Sequence, residues 1–256
     1  MTVHSDTADG RTGCPIDLSL FGGFALRIHG QKVPMPMHAR RVLAYLSLHK
    51  MVEQDCDRQV LAERLWIDAP PDRSRASLRT AIWRIRSAAY GLLDGDSERV
   101  ALADSVRVDV HEFRRQAEQM LADTTDYESP GLVPHLRSPA DLLPGWDEDW
   151  LLLTREQLRL LRLHALEHTA RRMCERGLYA QTIDVILSVV DEEPLRESAQ
   201  GILIKAHLCA GNPADAIRQY DRFRSNLWKE LGLRPSPDLC RLISPRSKRT
   251  ATLSNR

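Results

Sequence analysis

Residues 73–89 read RSRASLRTAIWRIRSAA, and this stretch is the strongest indication of the fold in the first half of the chain. Placed on a helix, its apolar residues fall in one narrow stripe, which consists of Leu78, Ile82, Ile85 and Ala89. Because a surface helix buries such a stripe against a core, the pattern predicts an amphipathic helix over these residues. Asp72 or Ser74 is the predicted N-cap of this helix.

The opposite face of this predicted helix is basic. Five arginines and no acidic residue occur between Arg73 and Tyr90, whereas a merely solvated helix usually mixes signs to gain ion pairs across one turn. DNA phosphates demand positive charge, and base edges demand hydrogen-bond donors such as guanidinium groups. The stretch is therefore predicted to be a DNA-reading helix in the major groove, and a solvated basic surface is the alternative.

The flanking segments favour DNA reading. Alternating apolar residues over 16–34, with a turn at His29–Gly30, predict short strands. Two helices follow, over residues 38–49 and 57–66, and the second has Asp57 as its N-cap and an inward face of Val60, Leu61 and Leu65. Residues 100–110 alternate around a turn at 103–105, which predicts a β-hairpin, the wing, next to the DNA-reading helix. Together these elements form a winged helix-turn-helix.

Candidate DNA-binding residues follow from this geometry. We expect four residues to approach bases or the flanking backbone, namely Arg79, Thr80, Trp83 and Arg84, and Ser87 shares their face. We expect Arg73, Arg75 and Arg86 mainly on phosphates. Three roles are open for Trp83: contact with DNA, packing on the wing, or shielding of a domain interface. Arg40, at the start of the first helix, either contacts a phosphate or is simply exposed.

The second half of the chain is predicted to be all helical. Helices are expected over residues 149–176, 179–192, 195–209 and 213–230. Gly177, Ala180 and Ile183 recur as Gly211, Ala214 and Ile217, an offset of 34 residues, which is the tetratricopeptide period. We expect a concave helical surface for dimerisation, for RNA polymerase or for the DNA-binding domain.

The predicted fold is therefore mostly α with a small β component. A winged helix-turn-helix domain is followed by an all-α tetratricopeptide-like domain. The expected segments are a disordered N-terminus (1–14), the DNA-binding domain (15–110), the helical domain (111–243) and a disordered basic tail (244–256). The formal net charge of +1 carries no information here, because the positive charge is segregated locally.

Several short phrases resemble known bacterial regulators. Residues 80–86, TAIWRIR, resemble the end of the recognition helix in OmpR-type winged helices. Four later phrases resemble the bacterial transcriptional activator domain: LLPGWDEDW (142–150), EPLRESA (193–199), AIRQY (216–220) and ELGLRPSP (230–237). The combination is similar to the Streptomyces antibiotic regulatory protein (SARP) family. That resemblance implies binding to repeats in double-stranded promoter DNA and activation through RNA polymerase, with a homodimer as a possible form.

Enzyme chemistry is not expected. The sequence contains no Walker A loop, no GxGxxG and no GxSxG, and no cofactor, metal or small-molecule ligand is indicated. Residues 164–168, HALEH, match the H-x-x-E-H pattern of inverted zinc proteases, but no third ligand is evident, so structural or solvated histidines are the favoured interpretation. The acids around Trp146 and Trp150 are read as ordinary partners of a helix N-terminus.

The sequence also indicates where the protein acts in the cell. The five cysteines are scattered without a CxxC pair, no apolar run of membrane-spanning length occurs, and the polar N-terminus is unlike a signal peptide. A cytoplasmic, nucleoid-associated protein is expected, without contact to a membrane. A protein-interaction scaffold and a pure repressor are the alternative functions.

Overall fold

The computed structural model describes residues 16–50, 55–122 and 141–244. The two predicted disordered ends lie outside these ranges, apart from Ser244. The described residues form two units, one of residues 16–113 with 141–148, the other of residues 114–122 with 149–244. None of the described helices is both long enough and apolar enough to cross a membrane.

Helix α1 (Met37–His49) lies in the core of the first unit and packs on α3. Residues 42–48 of α1 are all buried, which makes this helix the centre of the unit rather than a one-sided surface helix. Next come α2 (Arg58–Leu65) and α3 (Pro71–Ala88), which pack on each other. The N-cap prediction for α2 is confirmed, because the Asp57 carboxylate accepts from the backbone N–H groups of Gln59 and Val60. Val60 itself is exposed, so its predicted inward position is wrong.

The start of α3 also differs from expectation. The helix begins at Pro71, and neither Asp72 nor Ser74 caps it. Proline suits the first helical position because its φ is already helical and its missing N–H has no helical partner there. Ser74 is instead buried inside the first turn, where its Oγ donates to the Pro71 carbonyl.

Two small sheets complete the first unit. The first contains β1 (Ile16–Ser19), β2 (Ala25–Ile28), β3 (Gln31–Val33) and β7 (Val106–Val108), in the order β3-β2-β1-β7. The second contains β4 (Cys56–Asp57), β5 (Leu93–Asp94) and β6 (Arg99–Leu102), in the order β4-β6-β5. The predicted turn at His29–Gly30 is confirmed, with φ of 52° and 77°, as a tight hairpin requires.

The predicted pairing of the wing is wrong. Strand β6 pairs antiparallel with β4 and β5, whereas β7 crosses to the other sheet and pairs parallel with β1. The hairpin of the wing is therefore β5–β6, with residues 95–98 as its loop. The two-residue strand β5 is too short to show an alternating pattern, and the β1–β7 pairing joins segments that are distant in sequence. Strand β7 ends at Val108, two residues before the end of the predicted hairpin, because α4 (Asp109–Leu121) begins at the next residue.

A strap of residues 141–148 packs on the first unit. Leu142 forms a β-bridge with Phe21, and Leu143 donates its N–H to the Leu20 carbonyl at 2.9 Å. Trp146 stacks on Phe24, with ring centroids 6.4 Å apart. Leu142 and Leu143 of the LLPGWDEDW phrase are thus buried in the core of the unit that contains α3.

The second unit continues as helices packed on their neighbours in sequence. They are α5 (Asp149–Glu175), α6 (Tyr179–Glu192), α7 (Glu197–Cys209), α8 (Pro213–Leu231) and α9 (Pro237–Ile243). The bounds of α5 to α8 agree with the predicted helices to within two residues, whereas α9 was not predicted. Phe223 and Leu227 of α8 meet Ile204 of α7 and Leu239 of α9 in one buried cluster.

The two predicted repeats end their first helices in the same way. Gly177 and Gly211 both have a φ of 80°. The residue after each glycine donates its N–H to the carbonyl five positions earlier, Leu178 to Met173 and Asn212 to His207, each at 2.9 Å. This is the six-residue closure of a Schellman cap, which needs a left-handed residue. The 34-residue offset therefore corresponds to a repeated cap geometry.

Candidate nucleic-acid interface

Helix α3 has a buried stripe and a broad solvent face. The stripe consists of Ser74, Leu78, Ala81, Ile82 and Ile85. The solvent face contains all eight of the α3 residues predicted to bind DNA, and each is exposed: Arg73, Arg75, Arg79, Thr80, Trp83, Arg84, Arg86 and Ser87. The structure therefore brings these side chains together on one accessible surface, hereafter the α3 face.

The arginines of the α3 face are largely without internal partners. Arg75 contacts Asp72 at 3.4 Å, at the long end for a hydrogen bond, and also donates to the Pro71 carbonyl. Among the described residues, Arg73, Arg79, Arg84 and Arg86 form no ion pair. Their positive charge is thus not neutralised within the folded unit and remains available to an anionic partner.

Trp83 lies in the middle of this basic surface and is 60% exposed. The Arg84 guanidinium lies 4.9 Å from the centre of its ring, a cation–π contact that orients both side chains. The hydroxyls of Thr80 and Ser87 each donate to the carbonyl four residues earlier in the helix. Their lone pairs stay accessible, so both hydroxyls can still accept hydrogen bonds.

The wing loop carries negative charge. Asp94, Asp96 and Glu98 are all exposed on or beside it. Asp96 accepts from the backbone N–H groups of Glu98 at 2.8 Å and Arg99 at 2.9 Å, and these bonds lower the pKa of its carboxyl. Gly95 is required in this loop because a Cβ there would lie 2.4 Å from the Arg99 carbonyl oxygen. An ionised, well-ordered acidic loop is a poor ligand for phosphate.

Other arginines near the predicted interface have partners inside the unit. Arg40 donates to the Met35 carbonyl at 2.6 Å and lies over the Phe24 ring. Arg41 forms an ion pair with Glu148 of the strap at 2.7 Å. Two arginines on strands are paired as well, Arg99 with Asp55 and Arg107 with Asp17. Arg40, in the first turn of α1, therefore has its Nε already bonded within the unit.

Arg58 is a cationic residue that the sequence analysis missed. Its side chain lies at the start of α2, and its Nε and Nη2 atoms are buried without a hydrogen-bond partner. Burial and the nearby charge of Arg86 lower the pKa of Arg58, whereas the charge of Asp96 raises it. A single arginine at a helix start belongs to no periodic pattern, so only the structure could single it out.

The H-x-x-E-H phrase does not assemble a metal site. Glu167 is buried and accepts hydrogen bonds from Arg196 at 2.5 Å and from Ser198 at 2.8 Å, while His164 is exposed. Within the described ranges, no group of three or more His, Cys, Asp or Glu side chains is placed to hold a metal ion. Glu167 serves instead to join α5 to the start of α7.

Comparison with protein families identifies the second half of the chain. The model of the bacterial transcriptional activator domain matches residues 108–244, which is more than half of the chain. The match includes the strap and all helices from α5 onward. It confirms the predicted helical activator domain.

Three bacterial regulators are similar to the chain in sequence. The transcriptional regulatory protein EmbR of Mycobacterium tuberculosis is 25% identical over 241 residues, covering 88% of this chain and 61% of EmbR. The transcriptional regulatory protein MoaR1 of the same organism is 23% identical over 258 residues, covering 92% of this chain and 80% of MoaR1. The regulatory protein AfsR of Streptomyces coelicolor is 26% identical over 189 residues, 70% of this chain and 19% of AfsR.

A solved structure shares the fold. The structure of M. tuberculosis EmbR in complex with a low-affinity phosphopeptide superposes with a TM-score of 0.73 at 22% identity, over 90% of this chain and 64% of that chain. This likeness confirms the predicted fold class, a winged helix followed by a helical domain. The chain spans about three fifths of the length of EmbR.

Proposed function

The chain belongs to the bacterial transcriptional activator domain family and is a SARP-like regulator, and from this premise we propose that it binds promoter DNA by inserting α3 into the major groove. The observation that carries the proposal is the α3 face, on which four arginines lack an internal ion pair among the described residues. Unneutralised guanidinium groups on an exposed helix are suited to release counterions from phosphates and to donate to base edges.

Roles within the α3 face follow from position. Arg79, Thr80, Trp83 and Arg84 lie in the middle turns of α3 and approach bases or the adjacent backbone, and Ser87 shares their face. Arg73, Arg75 and Arg86 lie towards the two ends of α3 and contact phosphates. Arg40, in the first turn of α1, is a weaker phosphate ligand because its Nε already donates to the Met35 carbonyl. The acidic wing loop is assigned no phosphate contact.

Selection of binding sites tests the proposal directly. The purified full chain is incubated with a random duplex library, and bound sequences are enriched and then footprinted. We expect a recurring motif that the Arg84→Ala variant recognises more weakly or less selectively. Recovery of no enriched sequence by the wild-type chain at low salt contradicts DNA binding as the function.

The regulatory outcome is a second part of the proposal. We propose that the protein binds repeated promoter sites, with a homodimer as one arrangement, and that the helical unit contacts RNA polymerase to activate transcription. Membership in an activator-domain family supports activation over repression. Run-off transcription from a selected site with purified polymerase tests this: more transcript supports activation, and less transcript identifies a repressor.

The functional boundaries are also proposals. We place the DNA-binding domain at residues 15–110 and the activator domain at 111–243, in a protein acting in the cytoplasm at the nucleoid. The strap adds one refinement, because Leu142, Leu143 and Trp146 pack on the unit that contains α3. A fragment of residues 15–110 is therefore expected to melt at a lower temperature than the same unit in the full chain.

A further inference from the structure

Three helices of the second unit, α5, α7 and α9, border a cavity of about 240 Å³. Its apolar lining includes Cys174 of α5, Ile202 of α7 and Leu242 of α9. Burial raises the pKa of the Cys174 thiol, so this lining is uncharged at neutral pH. Sites for drug-sized ligands measure about 300–1,000 Å³, and a smaller organic molecule therefore suits this cavity.

A glycine inside α7 keeps part of this space open. Gly201 lines the cavity, and its φ is not in the left-handed region where glycine is required. A Cβ added at this position would lie 3.6 Å from Leu239, an ordinary contact, so the neighbouring side chains do not exclude alanine. Glycine weakens the interior of a helix relative to alanine. The space beside α7 is thus kept at the expense of helix stability, a compromise that is typical of functional sites.

Two cationic side chains without ion-pair partners also line the cavity. Arg171 of α5 and Lys205 of α7 are both exposed, which places them where the cavity meets solvent. Among the described residues neither forms an ion pair, whereas Arg196 pairs with Glu167 of α5. Glu175 is the one acidic residue of the lining. Two cations and one carboxylate leave a single net positive charge, which a ligand with one negative charge would balance.

We propose that this cavity binds a small organic acid with one carboxylate and an apolar body. The carboxylate accepts hydrogen bonds from Arg171 and Lys205, and the apolar body lies against Cys174, Gly201 and Ile202. The sequence did not indicate this ligand, because its contacts come from separate helices that meet only when the unit packs. The site lies wholly within the second unit and does not depend on the proposed binding of DNA.

Calorimetric titration of the full chain with octanoate, acetate and 1-octanol tests the chemistry of the ligand. Acetate has the carboxylate without the chain, and 1-octanol has the chain without the charge. We expect octanoate to bind with a Kd below about 1 mM, and the other two probes to bind at least about 5-fold more weakly. Absence of octanoate binding up to about 10 mM overturns the proposal. Equal binding of 1-octanol and octanoate contradicts the role of the two cations.

Arg171→Gln and Lys205→Gln test the location of the carboxylate. Both side chains are exposed and have no ion pair to lose among the described residues, so both variants should fold like the wild type. We expect each change to weaken octanoate binding by about 2- to 5-fold. The matched control is Lys229→Gln on α8, a side chain that is 81% exposed and outside the cavity, and it should bind like the wild type. Unchanged affinity in both Arg171→Gln and Lys205→Gln overturns the proposed site.

Gly201→Leu tests the cavity itself. Leucine suits a helix interior and occupies the space that glycine leaves, so we expect octanoate affinity to fall by at least about 10-fold. Octanoate should raise the melting temperature of the wild type and leave that of Gly201→Leu unchanged. Wild-type affinity in folded Gly201→Leu contradicts binding in this cavity. If this variant does not fold, Arg171→Gln and Lys205→Gln still decide the question, because their side chains are exposed.

Discussion

Arginine is used in opposite ways in α3 and in the helices of the second unit. On the α3 face, four of five arginines have no ion pair within the described residues. In the second unit, arginines join helices through carboxylates, as the pairs Arg159–Glu193, Arg162–Glu192 and Arg196–Glu167 show. One set of arginines thus stabilises the fold, while the other contributes little to it and is free to act on a partner.

The largest expected effect is on stability, from Arg196→Ala in the second unit. The change leaves the Glu167 side chain, 8% exposed, without its guanidinium partner. Removing one partner of a buried pair costs about 3 kcal/mol, and we expect the free energy of unfolding in urea to fall by about that amount. Arg218→Ala, which breaks an exposed pair with Asp215, is the control and should change it by less than about 0.5 kcal/mol. Similar losses of stability in both variants would contradict a special stabilising role for the Arg196–Glu167 pair.

The next effect is on DNA binding, from Arg79→Ala and Arg84→Ala in α3. Each change is expected to cost about 1–3 kcal/mol of binding free energy and to relax specificity at one position. Because neither side chain has an ion pair to lose, the free energy of unfolding should change by less than about 0.5 kcal/mol. Fluorescence anisotropy at several salt concentrations measures the binding. Unchanged binding by both variants at every salt concentration shows that α3 is misplaced on the DNA.

A smaller effect on stability is expected at the two glycines that end the first helix of each repeat in the second unit. Gly177→Ala and Gly211→Ala both force alanine to a φ of 80°, and neither added Cβ meets a close neighbour. We therefore expect the same loss of about 1 kcal/mol in each, from the backbone alone. Thermal and urea unfolding measure it, and DNA binding by the folded protein should not change.

The control for these glycines is Gly201→Ala inside α7. Its added Cβ would lie 3.6 Å from Leu239, an ordinary contact, and its φ is not in the left-handed region. Alanine should therefore stabilise this helix by about 0.5–1 kcal/mol. A loss at Gly201 equal to that at Gly177 argues against a backbone origin of the effect.

The smallest effect concerns pH and the first unit. Asp109 accepts from the N–H groups of Leu20 and Phe21, yet burial raises the pKa of its carboxyl. A raised folded pKa favours the protonated form, so this group's contribution to stability is complete below the unfolded pKa and is lost as pH rises through the folded one. Relative to Asp109→Asn, the wild type should gain stability on acidification towards pH ~4. Urea titrations of both proteins over this range measure the difference, and a constant difference rules out the shift.

Regular patterns within single segments were predictable, and pairings between distant segments were not. The stripe of Leu78, Ile82 and Ile85 is local, and the structure buries all three residues. The wing failed because β6 and β7 look like the two strands of one hairpin, although β6 pairs with β5 and β4, and β7 pairs with the distant β1. The inward position of Val60 failed for a related reason, since a helix of eight residues is too short for its pattern to define the buried side.

Most helices, the basic character of α3, the 34-residue repeat and the phrases of the activator domain were predictable from sequence alone, because each is a property of neighbouring residues. Which arginines are paired and where the strap packs followed only from the tertiary structure. Those facts depend on segments that are far apart in the chain and meet only in the folded core. For α3, the sequence predicted a basic face. The tertiary structure then showed that four of its five arginines form no ion pair among the described residues.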